Sequence, residues 1–557
     1  MHAARVHCRK RPSRAESRVN AIHLTSPLDP PEAQAAFAAA MRDPVAYAAL
    51  HPVPGPVTCI ETHVSWVFLT GPFAYKVKKP LRLSFIDYST AARRADLCHE
   101  ELRLNRRHAP GLYVDVVPIA GSPSAPRVGA TDAPPFEHAL RMVQFDPSLE
   151  LTHLLQSGAV AASEFVALGT HIAQMHADAA AADPAGTFGT PTTAHRITLD
   201  NFAEIARLLP GPAETRQLAR LRGHVQQLFD GCRAVLERRR RQGRVREGHG
   251  DLHCGNVVRW QGSLVAFDGL EFDPALRFID VASDLAFLTM DLAAHGRDDL
   301  RLELLQAWLS ESGDFDAVSL LPYFETYRAL VRAKVAALRG QQARGAAAES
   351  ETLAHQYLAW ADSRIERAAP MLVLMAGLSG SGKTWLARRI AAQLGAVTMR
   401  SDVERKRLAG LQPLATSASA PDAGIYSRDF NARTYERLRE CVASCLQGGE
   451  SVVVDAANLR RDERQRFVEA GRAHRAQIAI AHCDAPLDVL KQRVAARTAA
   501  GSDASEATTA LLDRQPSYWE AFSDDEQALV VTIDTTATDA IERGLQALAA
   551  RRWRNDR

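Results

Sequence analysis

Residues 377–384 read GLSGSGKT, and no other stretch of this chain limits its fold so tightly. The octapeptide is a full G-x-x-x-x-G-K-T. It follows the apolar run MLVLMA and opens the helical run TWLARRIAAQL, which stops at Gly395. Leu386, Ile390 and Leu394 fall on one face of that helix, and glycine readily takes the left-handed conformation that ends one. A strand, a glycine-rich loop and a helix in this order make a phosphate cradle, because glycines let backbone N–H groups converge on phosphate oxygens. The nucleotide-holding set expected is Gly377, Leu378, Ser379, Gly380, Ser381, Gly382, Lys383 and Thr384. Lys383 is expected to reach the β- and γ-phosphates of ATP, and the Thr384 hydroxyl to bind Mg²⁺.

Four further β-like runs, AVTMR, SVVVDA, IAIAHC and LVVTI, alternate with helical stretches. This predicts a five-stranded parallel sheet flanked by helices, with ligands at the carboxyl ends of its strands. Asp402 is expected to end the second strand and Asp455 the third. Arg493 and Arg497, at i and i+4, share one helix face. Residues 371–550 are similar to small P-loop kinases of the gluconate-kinase and zeta-toxin kind. That resemblance implies that Asp402, followed by Arg405 and Lys406, faces the acceptor hydroxyl. It also implies that Asp455 stands near the metal in a Walker-B-like position, and that Arg493 and Arg497 belong to a lid helix embracing the transferred phosphate. Phosphoryl transfer is mostly positioning and charge stabilisation, which is why such arginines matter.

A second constellation, HGDLHCGN, occupies 249–256. The spacing Asp251-x-x-x-x-Asn256 is that of a kinase catalytic loop, where the Asp takes or orients the acceptor proton and the Asn holds Mg²⁺. VVRW, Gln261-Gly262 and SLVAF then read as a tight hairpin. A hairpin returns its outer ends to one place, so Asn256 and Asp268 are positioned to share a metal. Residues 45–365 resemble the aminoglycoside-phosphotransferase and choline-kinase branch of the protein-kinase-like fold, with His249-Gly250-Asp251 matching that branch's H-G-D. The resemblance implies a bilobal domain, with a small lobe over 31–145, a large lobe over 146–365 and a hinge in RMVQFDPSLELTHLL. It implies a lysine for the ATP phosphates, Lys76 ahead of Lys78, paired with Glu101 or Glu100. It also implies a packed helix carrying His176, and Asp280 and Asp284 as anchors of the catalytic loop. Two features depart from the pattern: no glycine-rich loop precedes Lys76, and the DFG position reads Asp268-Gly269-Leu270, followed by Glu271.

A chain of 557 residues suggests three or four structural units. Between Cys59 and Ile119, short β-rich runs around ARRADLCHEELRLNRR predict a small sheet with one long helix. Residues 121–135 read as a turn-rich insertion, 151–369 as mostly helical around a β-rich patch at 244–272, and 339–354 as helical rather than a free linker. Residues 1–30 read as a disordered basic tail, and its first twenty residues lack the apolar stretch of a signal peptide. With 46% apolar and 24% charged residues and a net charge of +2, the composition is that of a soluble globular protein with no field for nucleic acid or membrane. Eight cysteines without CxxC pairs read as reduced thiols in the cytoplasm.

The chain as a whole resembles bacterial two-domain proteins that fuse an aminoglycoside-phosphotransferase-like domain to a P-loop kinase-like ATPase domain. The fold class expected is therefore multidomain α+β and α/β. The function expected is a bifunctional ATP-dependent phosphotransferase acting on small hydroxylated molecules, with Mg²⁺ at both sites. One rival reading makes one domain a nucleotide-binding regulator or pseudokinase. Another is a zeta-toxin-like nucleotide-sugar kinase, and a further one a protein kinase acting on a partner.

Overall fold

The computed structural model describes residues 26–82, 86–342, 347–419, 423–500 and 503–552. The expected tail lies almost wholly outside the described residues. The chain divides into two compact units, one of residues 1–102 and 113–144, the other of 103–112 and 145–557.

The first unit starts with helix α1 (Pro31–Ala40) and contains strands β1 (Thr58–Glu61), β2 (Ser65–Leu69) and β3 (Phe73–Lys78). Helix α2 (Ala91–Asn105), β4 (Tyr113–Ser122), β5 (Ala125–Val128) and β6 (Glu137–Val143) follow. The strands form one antiparallel sheet in the order β1-β2-β3-β6-β4-β5. Its core forms where Phe37 of α1 meets Trp66 and Phe68, alternate residues of β2. Part of the expected insertion at 121–135 is in fact a hairpin. Gly121 takes a φ of 90°, and a Cβ there would lie 2.4 Å from the Ala125 carbonyl oxygen, so only glycine lets β4 and β5 approach this closely.

The second unit opens with helices α3 (Leu151–Gln156), α4 (Ala162–Asp178), α5 (Pro191–Leu208) and α6 (Pro212–Arg241). Then come β7 (Val245–Glu247), the hairpin β8 (Val257–Trp260) and β9 (Ser263–Ala266), α7 (Pro274–Arg277) and β10 (Phe278–Asp280). Helices α8 (Val281–Ala294), α9 (Asp298–Ser312), α10 (Leu321–Gln342) and α11 (Ala347–Ser363) complete the helical part. Gln261 and Gly262 have φ of 50° and 84°, the left-handed pair of the expected two-residue hairpin turn. Helix α8 is buried from Val281 to Ala293, with α9, α10 and α11 packed against it. Of the segment expected to be helical over 339–354, residues 343–346 lie outside the described residues, and helix occupies the rest.

After Pro370 the same unit changes to β11 (Met371–Ala376), α12 (Lys383–Leu394), β12 (Val397–Arg400), α13 (Ser401–Leu408), α14 (Arg428–Gln447) and β13 (Val452–Asp455). Helix α15 (Arg461–Ala473), β14 (Gln477–Asp484), α16 (Leu487–Ala500), α17 (Thr509–Arg514), α18 (Asp524–Gln527), β15 (Val530–Asp534) and α19 (Ala540–Arg552) end it. The five strands are parallel, in the order β12-β13-β11-β14-β15. All five predicted β runs are strands of this one sheet. Every residue of β11 and β13 is buried, as helices on both faces require. The face under α14 is continuous with the helical part: Leu438, Cys441, Val442 and Cys445 share one apolar core with Val318 and Leu320. Gly448 sits so close that a Cβ would lie 2.3 Å from the Val318 carbonyl oxygen.

Candidate active sites

The P-loop connects the carboxyl end of β11 to the first turn of α12. Gly377, Gly380 and Gly382 take φ of 136°, 83° and 84°. A Cβ on Gly377 would lie 2.4 Å from the Cys483 carbonyl oxygen, and one on Gly380 2.6 Å from that of Leu490. Only glycine fits at these positions, and the resulting curvature is what a phosphate requires. The Lys383 ammonium donates to the carbonyls of Gly377 (2.8 Å) and Leu378 (2.7 Å). Burial lowers its pKa, against the opposing pull of Cys483, Asp455 and Asp402. Asp455 ends β13 and is buried, which raises its carboxyl pKa although Arg400 and the Thr384 hydroxyl act against that. Thr384 and Asp455 thus offer two oxygens side by side, a donor set that fits Mg²⁺. Asp402 stands in the first turn of α13, two residues past the end of β12, where the expectation had it ending the strand itself.

Arg493 of α16 donates to the Gly380 carbonyl (3.4 Å) and to Thr535 Oγ1 (3.0 Å), so it is at the cradle. Arg497 donates to the Ala507 carbonyl (3.2 Å), on the segment that follows α16. Arg405 and Lys406 point elsewhere. Arg405 holds the Ile425 carbonyl and Asn431, and Lys406 pairs with Glu506. Sequence reasoning missed Arg400, whose Nε lies 3.3 Å from Asp455 while its Nη2 donates to Asp503 (2.9 Å). It also missed Gln515, which accepts from the Ser379 N–H inside the P-loop (2.8 Å). Beside the cradle a cavity of about 250 Å³ is lined by Leu378, Ser381, Asp484, Leu490 and Trp519.

The upstream loop is held from below by α8. Asp284 accepts from the backbone N–H of His249 (2.7 Å) and of Gly250 (2.9 Å). Two turns on, along the same face, Asp291 accepts from Cys254 N–H (2.8 Å). Asp280 is not an anchor of this loop. It caps α8 through Ala282 N–H and pairs with buried Arg239, because its side chain leaves the helix at the cap. Asp291 is an anchor that the sequence reading overlooked. It lies with Cys254 and His295 within 4.8 Å, but its oxygens already serve Cys254 N–H and the Tyr357 hydroxyl. His176 is buried, as expected, and bridges Asp284 and Trp308.

Within the loop, Asn256 Nδ2 donates to the Asp251 carbonyl (2.9 Å) and to its Oδ2 (3.0 Å). This directs the amide oxygen, the atom that could hold a metal, to the other side. Burial alone would raise the Asp251 carboxyl, but His253 and Arg332 draw it below the usual carboxylate range. His249 Nδ1 accepts from Asp251 N–H (3.3 Å) and its Nε2 donates to the Phe267 carbonyl (2.9 Å). Burial holds this ring below its ordinary pKa, in the neutral form that such bonding needs. Phe267 N–H donates to the Asn256 carbonyl (2.9 Å), so the hairpin brings Asn256 next to the residue preceding Asp268. Asp268 itself takes a left-handed φ of 61°.

In the first unit Lys76 and Lys78, on one face of β3, both donate to Glu101, at 2.8 and 2.6 Å. Between β1 and β2 the turn contains no glycine and is closed by Thr62 and Ser65.

Residues 372–522 match the family model described as an AAA domain. That stretch contains the P-loop at 377–384. An uncharacterised protein of Mycobacterium tuberculosis is 29% identical over 464 residues, 83% of this chain and 90% of that one. A gluconokinase from Sinorhizobium meliloti 1021 is similar at 22% identity, covering 34% of this chain and all of that one, with a TM-score of 0.25. A choline/ethanolamine kinase family protein from Mesorhizobium loti is similar at 13% identity, covering 59% of this chain and 99% of that one, with a TM-score of 0.33. Among the described residues no helix is long and apolar enough to cross a membrane.

Proposed function

We propose that the chain is a cytoplasmic ATP-dependent phosphotransferase with two nucleotide sites, each passing a γ-phosphoryl group to a hydroxyl of a small molecule. The observation that carries the reading is the P-loop itself, a cradle that requires glycine at 377, 380 and 382, with Lys383, Thr384, Asp402 and Asp455 gathered around it. In this reading the acceptor oxygen bonds to the γ-phosphorus as the bond to the β–γ bridging oxygen breaks, and Asp402 takes the hydroxyl proton. Backbone N–H groups, Lys383 and Arg493 balance the charge on the phosphoryl oxygens. Mg²⁺ held by Thr384 and Asp455 would supply further neutralisation. In the second unit Asp251 takes the acceptor proton and Asn256 and Asp268 are the metal ligands; in the first unit Lys76 with Glu101 is assigned to the ATP phosphates.

A second reading is favoured by one observation, the closed glycine-free turn between β1 and β2. It makes the upstream domain a nucleotide-binding regulator of the P-loop site. Single variants separate the two. If Asp251→Ala leaves every ATP-dependent phosphorylation unchanged while Asp402→Ala abolishes it, only the P-loop site is a kinase.

A further inference from the structure

Gln306 and Trp308 lie two residues apart on α9, so their side chains leave opposite sides of the helix. On one side Trp308 Nε1 donates to His176 Nδ1 (3.2 Å). This leaves the proton on His176 Nε2, which faces Asp284 Oδ2 at 3.2 Å, the carboxylate under the catalytic loop. On the other side Gln306 reaches β12. Its Oε1 accepts from Thr398 N–H (2.7 Å) and its Nε2 donates to the Thr398 carbonyl (3.2 Å). Strand β12 is the edge of the parallel sheet, and β13 is its one neighbouring strand. For one residue, therefore, Gln306 stands where a further strand would pair.

The neighbouring contacts converge on the same elements. Arg407 of α13 donates to the Ser310 and Glu311 carbonyls at the end of α9 (2.7 and 3.3 Å), and its Nε faces Glu404 (3.2 Å). Arg437 of α14 donates to the Gly313 carbonyl (2.6 Å) and also faces Glu404. Strand β12 and helix α13 carry Arg400 and Asp402, the acceptor side of the P-loop site. The nucleotide side, formed by the loop and α12, has no part in this clamp.

We infer that Gln306 is a positioning residue for the acceptor side of the P-loop site, supplied by the helical part of the chain. The inference rests on the kinase reading of that site. A carboxylate acting on an acceptor must be held within a fraction of an ångström, and a misplacement of about 1 Å costs up to roughly a hundredfold in rate. An edge strand bonded on one side only does not hold it so closely. The P-loop and α12 make no bond to Gln306, and β12 reaches the metal side only at its end, where Arg400 meets Asp455, so losing Gln306 should lower turnover more than nucleotide affinity.

The test uses the full chain and hydrolysis of Mg·ATP, with water as acceptor. Lys383→Ala and Asp402→Asn define the part of the hydrolysis that belongs to the P-loop site. Gln306→Met keeps the packed methylenes and loses both bonds to Thr398, along with the one to Ser310 Oγ on its own helix. It is expected to lower kcat for that part about 10-fold, leave KM for ATP within about 2-fold, and leave the melting temperature nearly unchanged. Gln306→Glu keeps the bond from Thr398 N–H and is expected to recover part of the loss, and it carries the test if the Met variant does not fold. Unchanged kcat in both variants, or a raised KM at constant kcat, overturns the inference while leaving the kinase reading in place. If Lys383→Ala leaves hydrolysis unchanged, both fall together.

Discussion

Asn256 donates from a single amide nitrogen to both the carbonyl oxygen and the carboxylate of Asp251, at 2.9 and 3.0 Å. One side chain therefore ties the turn of the 249–256 loop to its carboxylate. Asn256→Ala should reduce Asp251-dependent transfer by about 10²-fold or more, since it removes the orienting bond and, in the proposed mechanism, a metal ligand. Initial rates of label transfer from γ-labelled ATP in the full chain, with Lys383→Ala silencing the other site, measure it.

Asp284 has no substrate role in this account, yet its loss should be costly. It is fully buried and receives two backbone N–H groups and His176. Asp284→Ala strands three donors and should destabilise the second unit by about 3 kcal/mol, whereas Asp284→Asn retains one acceptor oxygen and should cost less. Urea unfolding midpoints of the two variants give the comparison.

Glu101 gives the first unit a defined acid sensitivity. Burial would raise its carboxyl, but Lys76 and Lys78 draw it down to about 2, below its ordinary 4.5. The folded value is the lower one. The stabilisation is therefore complete above the ordinary value and is lost as pH falls through the window down to about 2. Glu101→Gln should be less stable than wild type near neutrality, with a gap that narrows through that acid range. A gap that does not change with pH would show that the ion pair does not carry this stability.

Cutting the chain before Pro370 should not release a folded P-loop domain. Leu438, Cys441, Val442 and Cys445 share their core with Val318 and Leu320, and Arg301 pairs with Glu450 (2.9 Å) across the same junction. A fragment of 365–557 would expose that face. It should be aggregated or lack near-ultraviolet circular dichroism, so a toxin-like effect on growth is best sought with the full chain.

The P-loop was legible in the sequence because its chemistry is contiguous and its strand and helix announce themselves by local periodicity. The upstream hairpin was legible for a related reason: a two-residue turn at Gln261-Gly262 brings Asn256 next to Phe267, the residue before Asp268. Pairs such as Gln306 with Thr398, Arg400 with Asp503 and Ser379 with Gln515 lie 92, 103 and 136 residues apart, and their residue types are common on any surface. Asp280 and Asp284 looked equivalent at i and i+4. Only the structure shows that the first turns to Arg239 at the helix cap while the second turns under the loop. The β4–β5 hairpin was hidden by its own composition, since the glycine, serine and proline that permit the tight approach also read as loop.

The central claim is that one chain holds two phosphotransfer centres. Its most direct test is a metabolite-pool screen with γ-labelled ATP, comparing wild type with Lys383→Ala and Asp251→Ala in the full chain. The account predicts two sets of labelled products. One set is lost with Lys383→Ala, by several orders of magnitude in rate, and the other with Asp251→Ala. A single set that depends on Lys383 and is indifferent to Asp251 would contradict it.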